Sequence, residues 1–331
     1  MTRRHRIGWK YRIEARARHW WYECSKAPVL LRPLAAAYGR LSAGRVGRPS
    51  ARPPVPVIVV GNLTAGGSGK TPVVEALVSD LMEDGRAVAI IARGYGARPS
   101  RVPHRVDVDD TARQAGDEAL ALHRATGAPT WIAPDRSAAL ACAVAAGAEV
   151  VISDDGLQHR ALARSFELCV IDGRRGFGNG SLLPAGPLRE PVERLASVDA
   201  VLVKAPCRFE MPVNADLFEL RGTGIRSVVD GAELVPSGEG IDAVAGIADP
   251  DRFFEALGEA GFEVRGHPLA DHAPIDAAWL AGLPGPVVIT GKDAARLQPG
   301  VREDLYVAGV RAELPPGLLQ RIRVHVREFR P

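Results

Sequence analysis

Short runs of apolar, often β-branched residues recur along the chain, and polar turns and helix-periodic stretches separate them. The first run covers 57–60, and 87–92, 130–133, 149–153, 168–172 and 200–204 follow it. Runs of that length without a polar alternation suit strands buried on both faces. Helical spacing appears between them at 72–83, 116–126 and 135–146. Strands alternating with helices predict an α/β fold with a doubly wound, mostly parallel sheet. Ligands bind at the carboxyl ends of such strands, and the polar motifs of this chain fall there. The pattern weakens over 207–240, which reads as a connecting segment with short strands. It resumes at 241 with a strand, a helix around 252–260, a strand at 287–290 and a last short helix at 316–321. The expected organisation is therefore an N-terminal arm (1–52), a main α/β domain (53–206), a connector (207–240) and a smaller α/β domain (241–331).

The first strand runs into a glycine-rich turn, and 57–71 reads VIVVGNLTAGGSGKT. Strand, glycine loop and a helix opening on Lys-Thr form the order of a P-loop. Gly66, Gly67 and Gly69 let backbone N–H groups curl around phosphate oxygens. Thr64, Ala65 and Ser68 complete the loop. Thr64 stands where the strict consensus has its first glycine. Lys70 reaches the β/γ-phosphates, the Thr71 hydroxyl suits Mg²⁺, and the following helix turns its positive end toward the anion. ATP and Mg²⁺ are the expected ligands.

Further polar groups sit at strand ends and in loops. VVISDDGLQHR (150–160) ends an apolar run in Asp154 and Asp155, where a P-loop protein places a carboxylate near Mg²⁺. A bare strand-end turn is the competing explanation. GDEALAL (116–122) puts Asp117 and Glu118 in the first turn of a helix. They act there either as helix-stabilising acids or as a base and a metal-coordinating group, and spacing does not decide between these. The long glycine/proline-rich segment 176–191 ends in Arg189, suited to charge on a transferring phosphoryl group. HPLADHAPID (267–276) offers an Asp271-His272 pair for proton transfer. TGKDAARL (290–297) starts a helix at a strand end, the setting of an anion site, without the loop that a second nucleotide needs.

Charge changes the picture at one end only. The 331 residues carry a net charge of +3, yet 1–52 hold thirteen Lys/Arg against two Glu, and the remainder is acidic. A basic arm suits an anionic surface. Trp20, Trp21 and Tyr22, followed by Leu30, Leu31, Leu34, Tyr38 and Leu41 near helical spacing, favour a membrane interface over nucleic acid. No run of 18 apolar residues exists, and the charged start does not resemble a signal peptide. Four scattered cysteines (Cys24, Cys142, Cys169, Cys207) suggest neither a zinc site nor a disulfide framework. No internal repeat is present.

Together, VPVIVVGNLTAGGSGKTP, ARGYG, GDEALAL, SDDGLQHR, LLPAGPLREP, DHAPID and TGKDAARL resemble the tetraacyldisaccharide 4'-kinases of lipid A biosynthesis. The likeness extends over nearly the whole chain, including HWWYE and PLAAAYGRL in the arm. It implies an ATP- and Mg²⁺-dependent kinase at the cytoplasmic face of an inner membrane. Its substrate would be the 4'-hydroxyl of a tetraacylated glucosamine disaccharide 1-phosphate, and its arm would meet an anionic membrane surface. By similarity, Asp117 is the general base and His272 assists it. Ser68, Lys70 and Thr71 hold the phosphates and Mg²⁺, and Glu118, Asp154 and Asp155 surround the metal and the attacking hydroxyl. Arg136 and Arg189 match cleft arginines. Two positions depart from the family pattern: Ala273 stands where a second histidine is common, and Gly291 where a glutamate is common. The competing functions are a membrane-associated nucleotide switch and a kinase of a soluble metabolite. A metallochaperone is disfavoured by the lack of a Cys/His cluster.

Overall fold

The computed structural model describes residues 9–24, 26–43, 52–271, 273–297 and 300–331. In chain order the elements begin with helices α1 (Trp9–Tyr22) and α2 (Arg32–Ala43), then strand β1 (Val57–Gly61) and α3 (Lys70–Glu83). Next come β2 (Val88–Ala92), β3 (His104–Arg105), α4 (Ala112–Ala115), α5 (Asp117–Thr126), β4 (Thr130–Ile132) and α6 (Arg136–Ala145). Then follow β5 (Val150–Asp154), β6 (Phe166–Asp172), β7 (Ala200–Lys204), β8 (Asp216–Ser227), β9 (Gly240–Ala245) and α7 (Pro250–Glu259). The chain closes with β10 (Glu263–Pro268), α8 (Ala277–Ala281), β11 (Val287–Thr290), α9 (Gly291–Ala294), β12 (Leu305–Glu313) and α10 (Pro316–Glu328).

Two compact units result. The larger takes Ala17–Leu220 and Arg311–Pro331, and the other is built on Arg221–Val310. In the larger unit the strand order is β8-β7-β6-β1-β5-β2-β4-β3, parallel throughout except for the short edge strand β3. β1 lies at its centre, and its residues show why it needs apolar side chains at every position. Val57 and Val59 pack with Ala139, Leu140 and Ala143 of α6. Ile58 and Val60 face the opposite way, onto Val73, Val74 and Leu77 of α3. Both faces are thus covered by helices, the arrangement that buried parallel strands require.

The C-terminal helix is longer than its sequence suggests and belongs to this larger unit, not to the smaller domain expected for 241–331. Leu318, Ile322 and Val326 recur at i, i+4 and i+8 and enter the same core as Ile58 and Leu77. Arg323 clamps the helix to α3 by donating to Asp80. The other unit has four parallel strands in the order β10-β9-β11-β12, with apolar clusters built around Ile241, Ala243 and Val288 and around Val244, Val287 and Ile289. Part of the expected connector is the twelve-residue strand β8, most of whose residues are only partly covered or exposed. Without a continuous apolar run it leaves no strand signature in the sequence.

Candidate active site

The glycine loop leaves β1 at the centre of the larger unit's sheet. Gly66 (φ 102°) and Gly69 (φ 88°) lie in the left-handed region, which residues with a Cβ avoid. Gly69 immediately precedes Lys70, the first residue of α3, so the N–H groups of the helix start open onto the loop. Thr71, the second helical residue, is half-buried. Ser68 is only 1% exposed, yet its hydroxyl has no hydrogen-bond partner. A buried hydroxyl of that kind is left for a partner outside the protein, a water or a phosphate oxygen.

The glycine/proline-rich segment forms a strap along this loop. Ala65 N–H donates to Pro187 O at 2.7 Å, and Arg189 N–H donates to Leu63 O at 2.6 Å. Thr64 and Leu188 form an antiparallel bridge. The Ala65 N–H is therefore engaged by the strap, which removes it from the donors facing a phosphate. The register brings Arg189 to the loop. Its Nη1 donates to both Asp155 oxygens, at 3.1 and 2.9 Å, and Lys70 Nζ lies 3.3 Å from Asp155 Oδ1. One carboxylate thus holds two cations beside the phosphate loop.

Asp154 and Asp155 separate because the strand ends between them. Asp154 is the last residue of β5, paired in register with Val60. Asp155 has φ 47°, a left-handed conformation that aspartate tolerates better than most residues. That reversal turns Asp155 toward Lys70 and Arg189. Burial alone would raise its carboxyl, but Lys70, Arg189 and Arg136 outweigh burial and hold it well below the usual carboxylate range. Asp154 behaves oppositely. Burial, with Glu118 and Asp155 adding negative charge, pushes it up to about 7. Its Oδ1 is buried without a hydrogen-bond partner.

α5 brings in the next acids. Asp117 is its first residue and is buried, and its Oδ1 accepts from Glu118 N–H at 3.1 Å. Gly116 (φ 79°) makes the entry possible, since a Cβ there would meet Tyr95 O at 3.2 Å. The ARGYG turn after β2 thereby backs the start of α5. Arg136, at the start of α6, donates to the carbonyls of Asp154 and Asp155 at 2.9 and 3.0 Å. Burial lowers its pKa against the pull of both aspartates. It braces the backbone of the acidic pair.

The donor set suits Mg²⁺. This ion binds through one or two carboxylates together with substrate phosphates, not through a full protein cage. Among the described residues no three His, Cys, Asp or Glu side chains converge on one point. The unpartnered, high-pKa Asp154 oxygen in the field of Glu118 is a position that a cation stabilises. Thr71 supplies a hydroxyl at the start of α3.

Three residues to which the sequence assigned no role back the Arg189 side chain. Glu190 accepts from Gln158 Nε2 at 2.8 Å and from Arg160. Gln158 Nε2 also donates to Asn62 O at 3.0 Å, which leaves its Oε1 to accept from Arg189 at 3.3 Å. The signal is present in the chain: Glu190 is the lone acid in a nearly uncharged loop, and Gln158 and Arg160 follow the acidic pair. Only tertiary contact shows that they meet.

His272 lies outside the described residues. Asp271, in the smaller unit, is 3.4 Å from Lys292. At TGKDAARL the structure shows Asp293 and Thr290 engaged within the turn. Asp293 is fully buried and accepts from Gly246 N–H at 3.1 Å, from Arg296 at 3.0 Å and from the Thr290 hydroxyl at 2.7 Å. Thr290 in turn caps the four-residue helix α9. The turn satisfies itself. A side chain at Gly291 would meet open space, so Asp293 organises this turn without one at 291.

Comparison with known proteins decides between the remaining functions. The family model described as "Tetraacyldisaccharide-1-P 4'-kinase" matches residues 27–327. The chain belongs to the tetraacyldisaccharide 4'-kinase family. A tetraacyldisaccharide 4'-kinase of Pseudomonas putida (strain W619) is 43% identical over 305 residues, covering 88% of this chain and 90% of that one. One from Pseudomonas aeruginosa (strain LESB58) is 42% identical over 311 residues, covering 90% and 93%. The crystal structure of the "apo" form of LpxK from Aquifex aeolicus in complex with ATP is similar at a TM-score of 0.73. It is 25% identical and covers 89% of this chain and 98% of that one. The phosphate loop, the acidic pair, the strap and the start of α5 all fall within the stretch that matches the 4'-kinase family model.

Proposed function

We infer that this chain transfers the γ-phosphate of ATP to the 4'-hydroxyl of a tetraacylated glucosamine disaccharide 1-phosphate, a step of lipid A biosynthesis. The observation that carries the chemical reading is the sharing of Asp155 by Lys70 and Arg189 at the mouth of a glycine loop. Two cations held there stabilise charge spreading over the phosphoryl oxygens during transfer. Lys70, Ser68 and the N–H groups at the start of α3 bind the phosphates. Thr71, Asp154 and Glu118 hold Mg²⁺, with Asp155 beside them. When bound, that ion neutralises charge on the phosphates. Asp117 takes the proton of the attacking hydroxyl, and His272 assists. Arg136 keeps the Asp154–Asp155 turn in shape, and Gln158 and Glu190 orient Arg189. Labelled phosphate appearing on tetraacyldisaccharide 1-phosphate, from γ-labelled ATP and Mg²⁺ in mixed micelles, is the expected result. Folded protein that binds ATP but labels no lipid would instead point to a soluble acceptor.

The same reading places the protein peripherally at the cytoplasmic face of the inner membrane, without nucleic acid as a partner. Among the described residues no helix is long and apolar enough to cross a bilayer. Support comes from the outward face of the arm: Leu30 is 90% exposed and Leu41 75%, with Val29 and Leu34 also exposed. Arg32 and Arg40 are exposed among them. An apolar stripe flanked by arginines suits an interface with anionic headgroups. Replacing Leu30, Leu34 and Leu41 together by serine is expected to weaken binding to anionic vesicles at least about tenfold, since burying each leucine is worth roughly 1.5–3 kcal/mol. The melting temperature and ATP affinity should hold. Vesicle binding at the wild-type level would remove the arm from membrane attachment. Deleting the arm outright would be a less clean test, because Trp21 and Tyr38 also bond to the strap.

A further inference from the structure

The sequence groups Tyr38 with the apolar stripe of the arm, but the structure divides that stripe. Leu30, Leu34 and Leu41 face outward, whereas Leu31 packs with Ala27, Ala35 and Ala185, and Tyr38 is half-buried. The Tyr38 hydroxyl donates to Arg189 O at 3.1 Å. The neighbouring arm contacts fall on the same strap. Trp21 Nε1 donates to Pro184 O at 3.1 Å, and Asn179 donates to Trp21 O and Trp20 O at 2.7 and 3.1 Å. Gly39 sits where a Cβ would come within 2.9 Å of Leu182, which lets α2 lie close against the strap.

Arg189 is therefore held at three points. Its N–H bonds to Leu63 in the phosphate loop, its carbonyl accepts from Tyr38 in the arm, and its guanidinium lies on Asp155. Of these, only the carbonyl bond reaches outside the phosphate-binding machinery. It comes from a helix whose other face is apolar and exposed. We propose that Tyr38 is a positioning residue that ties the seating of the arm to the placement of the Arg189 guanidinium, so that the arm contributes to turnover as well as to attachment. This rests on the kinase reading above. A shift of about 1 Å in a group that stabilises transferring charge is enough to slow the chemical step, and the Tyr38 hydroxyl is the arm's hold on the backbone of that residue.

Tyr38→Phe keeps the ring and removes only the hydroxyl. Loss of one such bond is expected to lower kcat about three- to tenfold. KM for ATP and for lipid, vesicle binding and melting temperature should stay within about twofold or a few degrees of wild type. In an Arg189→Ala background the same change should have no further effect, because its consequence passes through that side chain. A packing role alone would give losses that add. Amide hydrogen exchange across 186–190 reads the strap without turnover, and it should quicken in Tyr38→Phe whichever acceptor the enzyme uses. Unchanged exchange, an unchanged kcat, a loss confined to KM or vesicle binding, or additivity with Arg189→Ala would each overturn the proposal. Wild-type protein that labels no lipid would instead sink the kinase reading, and the exchange measurement would still judge Tyr38.

Discussion

Asp117→Ala is expected to abolish most lipid phosphorylation, by about 10²- to 10⁴-fold in kcat, the usual worth of a general base. ATP affinity should be retained, because the phosphate loop and α3 are built without Asp117. The competing explanation makes a different prediction. An acid at a helix N-terminus stabilises the helix by roughly 0.3–1 kcal/mol, and that role alone would show as a small fall in melting temperature with kcat nearly intact. Asp117 is buried at the first position of α5, behind a glycine that no other residue replaces without meeting Tyr95 O. Helix stabilisation alone does not call for so costly an entry. Asp117→Asn refines the test, since it keeps the size and the acceptor for Glu118 N–H but cannot take a proton. Single-turnover transfer beside thermal unfolding separates the two. Near-normal transfer by the asparagine variant would remove Asp117 from proton abstraction.

Asp154→Asn is expected to make the metal-free protein more stable while removing most activity. Burial, then the charges of Glu118 and Asp155, raise the Asp154 carboxyl from 3.8 to about 7. The folded protein therefore holds this proton more tightly than the unfolded chain does. The resulting stabilisation is fully present below about pH 4 and is lost as pH rises through about 7. Above that window the wild-type protein carries an unneutralised buried carboxylate, and the amide does not. In chelator at pH 8 the variant should melt higher by roughly 2–6 °C, as relief of one to two kcal/mol implies. Mg²⁺ with ATP should stabilise the wild type and do far less for the variant, since a cation there neutralises the same charge. An equal or lower melting temperature for the variant in chelator would show that Asp154 carries no such strain. An undiminished Mg²⁺ response would remove it from the metal site.

Both predictions concern groups that local sequence patterns single out. The apolar run at 57–60 marks a strand covered on both faces, because no solvent-facing alternation interrupts it. The glycines at 66 and 69 mark backbone in the left-handed region, which residues with a Cβ avoid, and their φ values of 102° and 88° place them there. What periodicity misses is equally physical. β8 and β10 are largely exposed, so their residues carry no continuous apolar signature. The last helix is visible only in part, and its membership of the larger unit depends on Leu318, Ile322 and Val326 meeting strands more than a hundred residues away.

The site divides in the same manner. Local chemistry determined by itself that residues 57–71 join a buried strand, a glycine turn and a helix start in the order that suits a phosphate, that two carboxylates end β5, that an acid pair opens α5 and that the arm is basic and aromatic. Each of these is a property of neighbours in sequence, where backbone conformation and charge are set over a few residues. Tertiary structure alone decided the rest. The left-handed turn at Asp155 gave the two adjacent aspartates opposite electrostatic fates. The strap laid Arg189 against the phosphate loop, with Gln158 and Glu190 to orient it. The inner face of α2 sent Tyr38 to the strap instead of toward lipid. Those outcomes depend on which segments pair across more than thirty residues of chain, and neither periodicity nor residue type specifies that pairing.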